Sequence, residues 1–253
     1  SKIINAHYPI VGDLTNVLSE LYEEVKGEPE NYAPWREILD RYSKLNPLSY
    51  TDSDTVLKPQ WVVEETAKIA GPEAIIATDV GQHQMWAALH LRVEEPRTWL
   101  TSGGLGTMGY GLPAAMGAQL AWGDSRRVIH ITGDGSIKMT GNEIYTIARL
   151  GLPVISIIAN NRSLGMIRQL QKVLYDEHYI ACELDHEMDY VKYVECFGIK
   201  AVRVSTQEEF AAAFKNALED RTHPRVIVMD VWRSFVEPMA KGGARIDEFV
   251  DFK

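Results

Sequence analysis

An acidic turn and a pair of amides stand twenty-four residues apart in this chain, counted from Ser136 to Ala159. Gly133-Asp134-Gly135 follows the apolar run Val128–Thr132, and Asn160-Asn161 ends a second apolar run, Val154–Ala159. Asp134 offers a carboxylate, Asn161 a side-chain carbonyl, and the turn after it a main-chain carbonyl at Ser163. Three hard oxygens on neighbouring loops suit Mg²⁺, which takes few protein ligands and completes its shell with phosphate and water. Gly133 and Gly135 let the backbone turn tightly, and amides at a following helix start can face an anion. A metal joined to a diphosphate is the economical reading. The alternative is structural, since Asp-Gly turns and Asn helix caps are common devices.

Such oxygens converge only if the elements between them are arranged correctly. Val128–Thr132 reads as a strand, Thr140–Leu150 as a helix ended by Gly151-Leu152-Pro153, and Val154–Ala159 as the next strand. This is a βαβ unit, and open parallel sheets bind ligands at the carboxyl ends of their strands. Upstream, Pro59–Ala70 predicts a helix with Trp61, Val62, Thr66 and Ile69 on one side, and Ala74–Thr78 a buried strand. Asp79-Val80-Gly81 then turns into a helix beginning near Gln82, which places Gln82, His83 and Gln84 where side-chain donors and free amides meet a phosphate. Downstream, Asp185–Phe197 predicts a helix, Lys200–Val204 a strand, Thr206–Leu218 a helix with Phe210, Phe214 and Leu218 inward, and Arg225–Val231 the last strand. The expected fold over residues 58–235 is α/β, a doubly wound, mostly parallel sheet with helices on both faces. Residues 1–27, with an amphipathic helix Leu14–Val25 capped by Asp13 or Thr15, read as the tail of a preceding domain. Residues 28–57 read as a linker that includes a helix at Ala33–Leu45, and 236–253 as a carboxyl-terminal tail.

A rival signal lies at Gly104, Gly106 and Gly109, which satisfy GxGxxG with Asp124 twenty residues beyond Gly104. A nicotinamide or flavin dinucleotide uses such a loop, with its acid at the end of the next strand. Asp124 precedes that strand, so Gly111, Ala114, Ala115, Gly117 and Ala118 more simply let a helix pack closely. The net charge of -9 argues against general nucleic-acid or anionic-membrane binding. It also leaves an anionic cofactor to be held by local devices, a metal and backbone amides. Cys182 and Cys196 make no disulfide framework, no apolar run approaches membrane-spanning length, and a cytoplasmic protein is expected.

The GDG turn, its spacing and the NN pair resemble the thiamine diphosphate signature. DVGQHQMWAA (Asp79–Ala88), PRTWLTSGGLGTMGYGLPAAMGA (Pro96–Ala118) and SLGMIRQ (Ser163–Gln169) extend that likeness. Together they are similar to the large catalytic subunit of the acetohydroxyacid (acetolactate) synthase family. The resemblance covers nearly all of residues 58–239, and AHYPIVGD (Ala6–Asp13) resembles the end of that family's middle domain. It implies that Asp134, Asn161 and the Ser163 main-chain oxygen hold Mg²⁺ on the cofactor diphosphate. Gln82, His83, Gly133, Gly135, Ser136, Asn161 and Gly165 would also contact or shape the cofactor site. Gly106 and Met108 would support the aminopyrimidine ring, while Met166 and Leu170 would line the substrate channel, Met166 also touching the cofactor. Leu170 stands where the family has Trp, and Lys241 and Gly242 stand where its closing tail has prolines.

The implied activity decarboxylates pyruvate and joins the two-carbon unit to a second 2-ketoacid, in branched-chain amino-acid biosynthesis. The family's activating glutamate comes from an amino-terminal domain across a subunit interface, and its FAD sits mainly on the middle domain. No catalytic acid–base is therefore assigned here, a homo-oligomer with a regulatory small subunit is expected, and the chain alone should be inactive. The alternatives are pyruvate oxidase or another carboligase of the superfamily, separable by acceptor profile, and a non-catalytic cofactor-binding module, separable by carbon dioxide release.

Overall fold

The computed structural model describes residues 4–27, 31–45, 47–53, 55–184, 188–231, 233, 235 and 236. The chain forms two compact units that meet in sequence between Leu48 and Ser49. The first holds α1 (Leu14–Val25), capped by the Asp13 carboxylate, which accepts from the Thr15 and Asn16 amides, and α2 (Ala33–Leu45). Neither helix has a buried residue.

The second unit is the α/β body. In chain order it comprises α3 (Pro59–Ala70), β1 (Ile75–Thr78), α4 (Gln82–His90), β2 (Trp99–Thr101) and α5 (Gly111–Trp122). There follow β3 (Val128–Gly133), α6 (Asp134–Thr140), α7 (Ile144–Leu150), β4 (Ile155–Asn160), α8 (Gly165–Leu174), α9 (Tyr190–Glu195), β5 (Lys200–Val204), α10 (Gln207–Glu219) and β6 (Arg225–Asp230). The six strands form one sheet in the order β2-β1-β3-β4-β6-β5, and every pairing is parallel. Leu57, which the sequence reading put in the linker, is buried and bridges to Val231, so residues just before α3 belong with this body.

Alternation along the strands makes two cores. Ile75, Ala77, Val128, Ile158 and Val228 face the layer built from α5, α6, α7 and α9 through Leu112, Ala115, Ile137, Ile147 and Val194. Ile76, Ile129, Ile131, Ile157 and Met229 face α3 and α10 through Val62, Phe210, Phe214 and Ala217. Strands β1, β3 and β4 are buried on both faces, which is why they read as unbroken apolar runs. The edge strand β5 exposes Lys200 and Val202, so charge blunts its open edge.

Three details differ from the sequence reading. The strand β2 was not foreseen, because three residues are too few for alternation to register. The helical span after β3 begins at Asp134 rather than Thr140, with a 3-10 turn at Gly141–Glu143 in the middle. The glycines suggest a turn, yet Asp134 starts the helix itself, where its charge opposes the positive end of the dipole. The helix expected over Asp185–Phe197 is seen only over Tyr190–Glu195, capped by Asp189; residues 185–187 lie outside the described set.

Helix α5 lies against β1 and β3 by way of small residues, though not all of those expected. A Cβ on Gly111 would come within 2.7 Å of the Asp79 backbone nitrogen and 2.8 Å of His130 Nε2. The Asp79 amide is fixed by a 2.9 Å bond to the Ile131 carbonyl, so only the helix could yield. A Cβ on Gly117 would meet nothing within 4 Å, so this glycine makes no close approach. Gly111→Ala should therefore destabilise by about 1–3 kcal/mol through overpacking. Gly117→Ala should stabilise by about 0.5–1 kcal/mol, because alanine restricts the unfolded chain and favours the helix. Urea unfolding of both variants checks this, and shifts of the same sign would refute the packing described.

Candidate functional site

The connection leaving β1 enters α4, packed beside α3, whereas that leaving β3 enters α6 on the opposite face. Strands β1 and β3 are neighbours, so their carboxyl ends open a crevice at a topological switch point. A cavity of about 220 Å³ fills it. Gln82, His83, Gly106, Met108, Gly133, Asp134, Gly135, Ser136, Asn161, Ser163, Gly165 and Met166 all line this one cavity. Residues 106–108, 133–136 and 161–166 are thus drawn to one place from three separate loops. Leu170 is absent from the lining and lies exposed on α8, one turn beyond Met166.

Register explains the convergence. Gly133 pairs with Ala159, so Asp134 leaves the sheet beside the Asn160-Asn161 exit of β4. Asp134 is buried; its Oδ1 accepts from the Gly135 amide at 2.9 Å, and its Oδ2 has no hydrogen-bond partner among the described residues. Burial pushes the carboxyl up to about 6, against the pull of the Gly135, Arg162 and Ser163 amides. A buried carboxylate with an idle oxygen costs free energy unless a cation or proton meets it. Across the cavity, Asn161 Oδ1 accepts from the Ser163 amide at 3.0 Å, and the Ser163 hydroxyl donates to the Cys182 carbonyl at 3.1 Å. The donor set of carboxylate, amide carbonyl and main-chain carbonyl fits a hard divalent cation. No cluster of three His, Cys, Asp or Glu exists among the described residues that would suit a softer metal.

The glycines make room for this chemistry. A Cβ on Gly135 would strike Leu164 Cδ2 at 2.6 Å, and one on Gly165 would strike Gln82 Oε1 at 2.1 Å. Gly81, at φ 151°, has a backbone that few side chains tolerate, and any Cβ there would meet His83 Cε1 at 2.9 Å. His83 is buried with Nε2 unpartnered, and burial pulls its pKa down to about 4 despite the nearby Asp79 charge. It is thus a neutral imidazole edging the cavity. Gln84, the third member of that helix start, turns away and donates to Thr101 Oγ1 at 2.8 Å, clamping the end of β2. Ser136 Oγ donates to the Val80 carbonyl at 2.8 Å and ties the β1 and β3 loops together.

The Gly104-Gly106-Gly109 loop does join a strand to a helix, β2 to α5, a context in which a dinucleotide loop could sit. Asp124, however, lies in the 3-10 turn past the far end of α5, roughly 18 Å of helix away from the loop. The loop is instead tied to the crevice: the Gly109 amide donates to buried Asp79 Oδ1 at 2.7 Å, and Thr140 Oγ1 donates to the Gly109 carbonyl at 2.9 Å. Asp79, which sequence reasoning treated only as a turn residue, holds Met108 in place through its neighbour. Its position at the carboxyl end of a buried strand was the signal available. Leu164, Trp86 and Val80 also line the cavity and carried no chemical signal in the sequence. Among the described residues, no helix is long and apolar enough to cross a membrane.

Comparison with known proteins places the chain in a family. Acetolactate synthase of Mycobacterium leprae is 42% identical over 96% of this chain, and the chain covers 40% of that protein. The mitochondrial acetolactate synthase catalytic subunit of Saccharomyces cerevisiae is 37% identical over the whole chain, which covers 37% of it. The isozyme 3 large subunit of Escherichia coli K12 is 35% identical over 98% of the chain, which covers 44% of it. The chain therefore spans about two fifths of the curated relatives it matches. Among solved structures, a thiamine diphosphate-dependent 4-hydroxybenzoylformate decarboxylase from Rhodococcus jostii RHA1 superposes with a TM-score of 0.66 at 27% identity, over 73% of this chain and 34% of that one. Residues 79–231 match the family described as thiamine pyrophosphate enzyme, C-terminal TPP binding domain. That match begins at Asp79, just past the end of β1, and ends at Val231, so it takes in every residue that lines the cavity, and the chain belongs to the thiamine pyrophosphate enzymes as their C-terminal cofactor-binding domain.

Proposed function

We propose that this chain supplies the diphosphate- and Mg²⁺-holding wall of the thiamine diphosphate site of an acetolactate synthase. The observation that carries the reading is Asp134 Oδ2, buried and unpartnered at the crevice where the Asn161–Ser163 loop also opens. Asp134, Asn161 Oδ1 and the Ser163 carbonyl would hold the cation. Gln82, neutral His83 and the amides of Gly135 and Ser136 would face the diphosphate. Met108, held through Gly109 and Asp79, would press on the aminopyrimidine, while Met166 and Leu170 would border the acceptor channel. Thiamine diphosphate supplies the electron sink on which a 2-ketoacid loses carbon dioxide. The protein's part is to fix the cofactor, shed water and leave room for pyruvate and a second 2-ketoacid.

The cavity is smaller than the ~300–1,000 Å³ that encloses a whole ligand of this class, which favours a site completed by a further domain or subunit. A homo-oligomer working in the cytoplasm, with FAD on a middle domain and a regulatory small subunit, follows from the same reading. VEPMAKGGARIDEF, the tail that would close the site, lies outside the described residues beyond Val236.

Calorimetric titration with thiamine diphosphate tests the assignment. Binding should require Mg²⁺, and Asp134→Asn should weaken it at least about 100-fold, since an amide cannot supply the anionic ligand. Equal binding by the native chain and the variant would end the metal assignment.

The two buried titratable groups predict opposite pH effects on the metal-free fold. His83, held near 4 against an ordinary 6.5, is protonated more readily when unfolded, so it adds stability as pH rises from 4 to 6.5. Asp134, held near 6 against 3.8, binds its proton more readily when folded, so it removes stability as pH rises from 4 to 6. Relative to wild type, His83→Gln should flatten the gain in stability between pH 4 and 6.5, and Asp134→Asn should steepen it. Each difference should be on the order of 3 kcal/mol. Urea unfolding across that range measures both, and changes of the same sign would contradict the assigned environments.

Leu170→Trp, made in the assembled enzyme, should narrow the acceptor channel and change the product ratio when pyruvate and 2-ketobutyrate compete. An unchanged ratio removes Leu170 from the channel.

A further inference from the structure

Gln169 is buried on α8, although its neighbours Ile167 and Leu170 are exposed. It does not line the cavity, and the reading above gives it no role. Both ends of its amide are nonetheless engaged. Oε1 accepts from Gln82 Nε2 at 2.8 Å and from the Val236 amide at 3.0 Å, while Nε2 donates to the Val236 carbonyl at 2.9 Å. The last two bonds grip one residue's backbone as a neighbouring strand would. They also fix which end of the Gln169 amide is oxygen, because only that orientation matches a donor N–H and an acceptor C=O.

The orientation propagates. With Gln169 Oε1 toward it, Gln82 must present Nε2 on that side and Oε1 on the other. There Gln82 Oε1 accepts from Asn161 Nδ2 at 3.3 Å. Asn161 in turn is left with Oδ1 directed to the Ser163 amide, on a loop that lines the cavity. Gly165 makes this possible, since its missing side chain is the space that Gln82 Oε1 and Asn161 Nδ2 occupy. At the far end, Val236 is fully buried and packs with Val63 and Trp86, and Trp86 itself lines the cavity. Val236, six residues beyond the end of β6, is therefore anchored twice, by its side chain in an apolar nook and by its backbone on Gln169.

We infer that Gln169 is a positioning residue: through Gln82 it orients the Asn161 carbonyl toward the cation, and it couples that orientation to the seating of the segment at Val236. The inference rests on the metal reading above, to which it adds an outer partner of the kind that tunes ligand oxygens. Losing the fork frees Gln82 to rotate, and a rotated Asn161 offers an NH₂ to the cation. Coupling runs both ways, so an occupied metal site must also tighten Val236.

Two measurements on the full chain test this, using thiamine diphosphate with Mg²⁺ as the probe. Gln169→Met keeps the side chain's length and burial without its polar ends; it should bind the probe roughly 10- to 100-fold more weakly. Gln171→Leu, on the same helix but bonded only to Ile180 on the exposed side, should bind as wild type does. In hydrogen exchange, the Val236 amide of wild type should gain at least about tenfold protection when the probe is added, and Gln169→Met should lose that gain. The exchange measurement on wild type needs no variant to fold. Binding by wild type with unchanged affinity in a folded Gln169→Met, or Val236 protection indifferent to the probe, would overturn the relay alone. No binding by wild type would overturn the metal reading and the relay with it.

Discussion

The structure turns on one electrostatic constraint: a carboxylate taken out of water at the mouth of a parallel sheet with half of its hydrogen-bonding capacity idle. Asp134 begins α6, where the helix dipole and the Gly135, Arg162 and Ser163 amides favour its charge, yet desolvation still outweighs them. A domain that merely needed to fold would fill this position with a neutral cap. Its retention is explained if a cation completes it, and the neighbouring oxygens of Asn161 and Ser163 are the kind that would share that cation. The crossings that send α4 to one face and α6 to the other create the opening in which this can happen.

Beneath the crevice, α5 covers a polar column rather than a purely apolar one. Asp79 accepts from the Val80 and Gly109 amides, and its other oxygen lies 3.7 Å from His130 Nε2, while His130 Nδ1 meets Ser156 Oγ at 3.2 Å. His130 attracts the Asp79 charge and, with the Gly109 and Val80 amides, keeps the acid below the usual carboxylate range despite its burial. The two carboxylates of the crevice thus behave oppositely: Asp79 is compensated within the protein and fixes a loop, whereas Asp134 is left to be compensated from outside. That difference, rather than burial, is what sets Asp134 apart as the candidate ligand, since both acids are buried.

Most of the architecture was legible in the sequence because parallel strands covered on both faces leave long apolar runs with glycine and acid at their ends. Val128–Thr132 and Val154–Ala159 could be placed within a residue, and so could the helices α1, α2, α3 and α10. Part of what escaped had a physical cause. Strand β2 is too short for periodicity, whereas α8, whose apolar Ile167, Leu170, Val173 and Leu174 recur at helical spacing on an exposed face, was open to detection and passed over. The site residues announced by glycine or by paired amides were visible. Asp79 and Gln169 were not, because their hydrogen bonds reach segments 30 and 67 residues away, and Asp79 offered only its place at the end of a buried strand.

The charge of the cavity decides how tightly its parts must cooperate. The chain carries a net charge of -9, and among the described residues none that lines the crevice is Lys or Arg. A diphosphate approaching Asp134 in this setting would meet, among the described lining residues, backbone amides, Gln82 and an uncharged His83 rather than a Lys or Arg side chain. Coulomb repulsion between the carboxylate and the diphosphate would be severe at the low effective dielectric of a buried site. A divalent cation reverses the sign of that interaction, because one ion attracts both anions at once. Affinity for the anion in such a site would be set by how well Asp134 and the neutral oxygens beside it hold the metal, not by cationic side chains. That is why an amide's orientation, which would matter little in a lysine-rich pocket, matters here.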